Sequence, residues 1–267
     1  MPSHAKPHRP SPARKTAALV HAIVATPRRK LAALAMAVAA GPALALSASL
    51  PASAAVPAHP AWKSSAPFGT WHTGKFDLYN NEWNQSVAGP QTIWGYSHAH
   101  WGVQSTQADT TSVKTYPSVQ ENYRNTTLGS LHGLWSNYAE SMPAASGRYD
   151  AEAAYDIWLN NYQIEVMVWV DNHGQRPAGR VIGSAEFFGR KFSVWQGSGH
   201  MFSFELSGKQ ASSGTGHLLM AMDWLVAHGY LSTSDQLTQV NFGWEICSTD
   251  GQPMDFTMTK YTLTERR

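Results

Sequence analysis

The sequence predicts an all-β fold, a jelly-roll β-sandwich of two antiparallel sheets with an open cleft and one α-helix. Three observations carry this reading. Short stretches alternate apolar and polar residues, turn residues separate them, and a single segment has helical periodicity. Alternation is clear in residues 163–170, 191–196, 201–206, 239–246 and 254–263. Between them stand Asn172-His173-Gly174, Gly197-Ser198-Gly199 and Asp250-Gly251, residue types that tolerate tight turns. The helix is expected over 215–228, with Leu218, Leu219, Met222, Leu225 and Val226 on one face and Gly229 as its stop. Many short strands and one helix fit two packed sheets.

The first 54 residues read as a separate element. They hold Lys6, Arg9, Arg14, Lys15, Arg28, Arg29 and Lys30 and no acid, followed by an apolar run at 31–46 and the small-residue site Ala52-Ser53-Ala54. That order is the signature of a secretory signal peptide, so the chain is expected to be secreted. The apolar run is short for a membrane span and is interrupted by Gly41-Pro42. Residues 55–67 are read as a short leader and 68–267 as one domain, long enough to bury a sizeable core.

Removal of residues 1–54 leaves 13 Lys and Arg against 18 acids, a net charge near −5. An acidic domain has no basic footprint for nucleic acid. Cys247 is the lone cysteine, which excludes an intrachain disulfide and is read as packing. His98 and His100 alone make no metal site. Of the eleven tryptophans, ten lie between Trp71 and Trp244. Indole rings pack both sugar faces and cores, so composition leaves both uses open.

The segment 154–170 (AYDIWLNNYQIEVMVWV) reads as a hairpin. A two-residue turn at Asn160-Asn161 would suit asparagine, which accepts the positive φ of a type I′ turn. That register places Asp156 opposite Glu165, with Trp158, Gln163, Met167 and Trp169 on the same face. The other face is a core face of Tyr155, Ile157, Leu159, Ile164, Val166, Val168 and Val170. Like charges side by side destabilise a strand pair, which makes such a pair notable.

A second stretch, VNFGWEI at 240–246, sends Val240, Phe242, Trp244 and Ile246 to the core and leaves Asn241, Gly243 and Glu245 on the opposite face. Gly243 is read as opening space for a ligand beside Glu245. Two carboxylates on facing strands suit glycoside hydrolysis, in which one attacks the anomeric carbon and the other protonates the leaving oxygen.

At these residues the chain resembles glycoside hydrolase family 12, the jelly-roll endoglucanases and xyloglucanases, over about 79–263. The motifs stand in order as Asn80-Asn81-Glu82-Trp83, Val113-Lys114-Thr115-Tyr116-Pro117, Tyr155-Asp156-Ile157-Trp158, Glu165-Val166-Met167-Val168-Trp169 and Gly243-Trp244-Glu245. The resemblance implies Glu165 as nucleophile, Glu245 as acid/base and Asp156 as a third carboxylate. It implies Asn81, Trp83 and Met167 as substrate-binding residues, and Trp158 and Trp169 share their cleft face. It implies a retaining β-1,4-glucanase acting within chains of cellulose type, mixed-linkage β-glucan or xyloglucan, with no cofactor or metal. A polysaccharide is then the partner, no membrane attachment remains after signal removal, and a monomer is the default.

Two departures bear on substrate choice. The stretch between Asp156 and Glu165 is shorter than in the family's familiar cellulases, and Ile246-Cys247-Ser248-Thr249 replaces the usual continuation after the acid/base residue. The alternative function is a non-catalytic, lectin-like jelly roll, which would keep the aromatic cleft but has no use for two opposed acids.

Overall fold

The computed structural model describes residues 56–144, 148–208 and 210–267, and the expected signal peptide lies outside them. In chain order the strands are β1 (Trp62–Ser64), β2 (Thr70–Thr73), β3 (Phe76–Tyr79), β4 (Gln91–Ser97), β5 (His100–Ser105), β6 (Ser118–Thr127), β7 (Gly133–Ser141), β8 (Asp150–Leu159) and β9 (Ile164–His173). They continue with β10 (Arg180–Phe187), β11 (Arg190–Gln196), β12 (Met201–Leu206), β13 (Ser213–His217), the helix α1 (Leu219–Ala227), β14 (Gln236–Ser248) and β15 (Met254–Arg266).

Two sheets form a jelly-roll sandwich. One has six strands in the order β1-β4-β5-β15-β7-β13, and the other has nine, β10-β11-β12-β9-β8-β14-β6-β3-β2. The pairings are antiparallel apart from β12 against β9, which is parallel. The expected leader is not separate from the domain, because Trp62 pairs with Gly95 and β1 closes the edge of the six-stranded sheet.

Alternation builds the core as expected. Tyr155, Ile157, Val166, Val168, Val240, Phe242, Trp244 and Ile246 are all fully buried between the sheets. Trp101 of one sheet and Trp244 of the other meet with ring centroids 4.9 Å apart. Phe242 lies among Tyr138, Tyr155 and Tyr261. Several tryptophans are therefore core residues, each large buried side chain contributing about 1.5–3 kcal/mol.

The helix is shorter than its sequence pattern. Residues 213–217 are instead β13, an edge strand on β7 with Thr215 opposite Asn137. Ring stacking of His217 on Trp135, centroids 4.4 Å apart, holds this edge. Leu219, Ala221, Met222 and Leu225 face the core, and Gly229 ends the helix at φ +76°.

Candidate active site

The outer face of the nine-stranded sheet carries the candidate residues, and the hairpin β8–β9 sets most of them. The loop joining these strands has four residues, Asn160 to Gln163, rather than two, since Leu159 pairs with Ile164. Asn160, Asn161 and Tyr162 all adopt positive φ (51°, 56° and 67°). Asn160 is fixed from outside the hairpin: its side chain donates to Asp235 Oδ1 at 2.7 Å and accepts from the Gln236 N–H at 2.8 Å. These tertiary bonds hold the wider loop where local turn chemistry favoured a tighter one.

The register therefore slips by two residues from expectation. Trp158 stands opposite Glu165, and Asp156 stands opposite Met167. A slip of two keeps every side chain on its face. Asp156, Trp158, Glu165, Met167 and Trp169 remain together on the cleft side, but Asp156 and Glu165 are diagonal neighbours. Trp158 Nε1 donates to Asp156 Oδ2 at 2.8 Å. Glu165 and Asp156 are each buried, at 2% and 6% exposure.

Glu245 comes from β14, on the far side of β8 from β9. Its partner across β8 is Glu152, so the positions of β8 facing Glu245 and Glu165 are residues 152 and 158, with Asp156 between. Along a straight strand that offset would be roughly 20 Å. Within that stretch the β8–β9 pairing shifts register at Ala153/Ala154, while the shifts of β14 at Leu237/Gln239 and Ile246/Ser248 lie outside it. Bulges bend strands and re-aim side chains.

Gly243 has a different purpose from the one expected. A Cβ there would lie 2.0 Å from the Pro117 carbonyl oxygen, so glycine admits a backbone crossing and does not open space for ligand. The crossing segment is the Val113–Pro117 motif. Ile246 N–H donates to Thr115 O at 3.0 Å, and Lys114 N–H donates to Ile246 O at 3.1 Å. Lys114 is wholly buried and donates from Nζ to the Ala108 and Cys247 carbonyls and to Thr110 Oγ1. The buried Cys247 is thus part of the packing, and burial pushes its thiol up.

The same segment positions the Asn80–Trp83 loop, since Tyr116 N–H donates to Asn81 O at 3.0 Å. Asn80 is wholly buried and donates to Glu82 Oε1 and the Ala66 carbonyl, while Asn81 and Trp83 are half-buried. Met167 and Trp169 pack together with Ala154, 1% and 3% exposed, with Trp169 Nε1 3.4 Å from Met167 Sδ. Trp158 is the more accessible ring and meets exposed Tyr162 at 5.8 Å.

Three residues here were not singled out from the sequence. Tyr116 donates its hydroxyl to the Ala154 carbonyl at 2.9 Å, and its phenol is raised well above its usual range by burial and by the charges of Asp156, Glu245 and Glu152. Its place in the Val-Lys-Thr-Tyr-Pro motif was the available signal. Glu152 is wholly buried opposite Glu245; its parity with Asp156 would have placed it on the cleft face. Glu205 faces Trp169 across the parallel pairing and accepts from Asn172 Nδ2 at 3.1 Å. Sequence alone gave it no partner, because parallel pairing of distant strands leaves no local pattern.

A separate cavity of about 660 Å³ opens beside Glu140, Asp171, Tyr149 and His173. None of the candidate site residues lines it, and its Glu140 Oε2 accepts from Trp244 Nε1 at 3.0 Å. His98 and His100 are engaged with rings, His98 on Phe76 and His100 against Tyr96. Among the described residues no group of three His, Cys, Asp or Glu is placed to hold a metal.

The jelly-roll sandwich is the fold of solved family 12 glycoside hydrolases. The chain is similar to the xyloglucanase domain of NopAA from Sinorhizobium fredii, solved with cellobiose, at 25% identity and a TM-score of 0.70 over 78% of this chain and 100% of that one. A family 12 xyloglucanase from Bacillus licheniformis aligns at 22% identity and 0.69 over 77% and 100%. The catalytic domain of Humicola grisea Cel12A, with a thio-cellotetraose, aligns at 20% and 0.69 over 77% and 99%. No protein-family model and no curated protein sequence matches the chain.

Proposed function

We propose that this chain is a secreted, endo-acting β-1,4-glucanase that cleaves with retention, using Glu165 as nucleophile and Glu245 as acid/base. The observation that carries the reading is the placement of both glutamates on the cleft face of one sheet, on the two strands that flank β8. Buried carboxyls are costly to keep without a task, and here Glu165 stands opposite the half-exposed indole of Trp158.

The reaction is a double displacement. The Glu165 carboxylate attacks the anomeric carbon while Glu245 gives its proton to the glycosidic oxygen, and the bond between that carbon and oxygen breaks. The Glu245 carboxylate then takes a proton from water, whose oxygen attacks the same carbon and releases Glu165. Asp156, held by Trp158, is a third carboxylate one residue pair away from the nucleophile. Trp158, Tyr162, Asn81 and Trp83 offer rings and amides to the sugars, over a floor of Met167 and Trp169. The neighbouring xyloglucanases and endoglucanases support a β-1,4-glucan backbone as the substrate class.

Stereochemistry tests the reading. Proton NMR of the first product released from a soluble β-glucan should show the β anomer before mutarotation. An α anomer appearing first would mean inversion, which needs the wider carboxyl separation of about 6.5–9.5 Å.

A further inference from the structure

Glu152 is used by neither step above, yet it is the residue directly across the strand pair from Glu245. It is wholly buried, and Glu245 is 4% exposed. Neither carboxyl oxygen of Glu152 receives a hydrogen bond from another residue's donor group. Glu152 and Glu245 occupy paired positions on the same face of adjacent strands, which sets their carboxyl groups side by side. Two carboxyl groups in contact have no donor between them unless one is protonated. Like charges opposed across two strands, out of water, are costly.

The other charged and titratable groups at this end do not supply that donor. Asp150 of β8 adds negative charge to Glu152, and the Tyr116 hydroxyl is given to the Ala154 carbonyl. Cys247 of β14 feels the acids Glu152, Asp150 and Glu245. Lys114 reaches this end from the crossing segment, but its charge acts on Cys247, Asp109 and Asp150. On β9 the facing residue is Asn172, whose amide donates to the Gln175 carbonyl and to Glu205.

Resting on the assignment of Glu245 as acid/base, we infer that Glu152 is its positioning residue: the two carboxyls form one hydrogen-bonded pair that holds a single proton between them. Burial and the neighbouring Glu245 charge both raise Glu152 well above the usual carboxylate range, in keeping with this. The pair keeps a proton for the leaving oxygen at a pH where an isolated glutamate has lost its own. It gives up that proton when the glycosidic bond breaks, becomes doubly charged in the glycosyl-enzyme, and is then a strong base toward the incoming water, which restores the proton.

The test compares the native chain with Glu152→Gln. The pH profile of kcat/KM on a soluble β-glucan should lose its basic limb about one pH unit or more earlier in the variant. Glutamine can donate to the Glu245 carboxylate, which stabilises the charged form, whereas Glu152→Ala should lose both proton and orientation and lower kcat at every pH. Carbon-13 NMR of protein labelled at glutamate Cδ, with Glu245→Gln for assignment, gives a readout independent of turnover. In the native protein the Glu152 and Glu245 carbons should respond together to loss of one proton. Independent titration of the two carbons, or a basic limb unmoved by Glu152→Gln, would overturn the pairing. A native chain that hydrolyses no glucan would count against the catalytic reading alone, and the NMR titration would still decide the pair.

Discussion

The indole N–H of Trp158 donates to Oδ2 of Asp156, two residues earlier on the same strand, at 2.8 Å. The third carboxylate is therefore oriented from within β8, and Glu165 is reached diagonally. Trp158→Phe keeps an aromatic ring and removes the donor. A hydrogen bond to a charged group is worth about 1.5–3 kcal/mol, so kcat should fall by about tenfold or more, with little change in Tm. A variant with native kcat would show that Asp156 needs no such anchor.

Tyr162 sits in the left-handed region at φ 67° and is 43% exposed, with its ring against Trp158. Tyr162→Gly relieves a backbone cost of about 1–2 kcal/mol and adds a glycine entropy cost of about 0.5–1 kcal/mol, so stability should hold or rise slightly. KM for polysaccharide should rise, since an aromatic surface at the cleft is lost. Calorimetry and kinetics on one preparation separate the two effects.

Gly243→Ala should be destabilising by about 1–3 kcal/mol. The added Cβ would fall 2.0 Å from a backbone oxygen of Pro117, and backbone cannot swing aside as a side chain does. Tm and activity should fall together, because the crossing segment also carries Tyr116 and holds the Asn81 loop.

The interior acid pair makes stability depend on pH. Burial and the adjacent Asp171 raise Glu140 to about 8, and burial raises Asp171 as well. Folded protein binds these protons more tightly than unfolded chain, so the contribution is full below about pH 4.5 and is lost as pH climbs through about 8. Tm should decline across that window. Glu140→Gln, which keeps an acceptor for the Trp244 indole, should flatten the decline; an equally steep decline would place its origin elsewhere.

Period-two alternation was enough to separate core from cleft faces, because a strand's parity survives register errors of two. Asp156, Glu165 and Trp158 were thus assigned the correct face with the wrong partners. The register itself was set by Asn160 bonding to Asp235 and Gln236, residues distant in sequence. Residues 213–217 alternate too briefly to reveal a strand beside a strongly apolar helix, and their pairing with β7 is a tertiary fact. β1 likewise is a three-residue edge in a polar stretch. Glu152 escaped notice because its meaning lies across the sheet in Glu245, and Gly243 was misread because the atom that demands it belongs to Pro117.

The most direct measurement is reducing-sugar release from xyloglucan, mixed-linkage β-glucan and carboxymethyl cellulose, by the native chain beside Glu165→Gln. Release by the native chain that collapses in the variant, with fold and binding intact, is the expected result, and the ranking of the three names the preferred glucan. Binding without release by the native chain, or undiminished release by Glu165→Gln, would contradict a glucanase that works through Glu165.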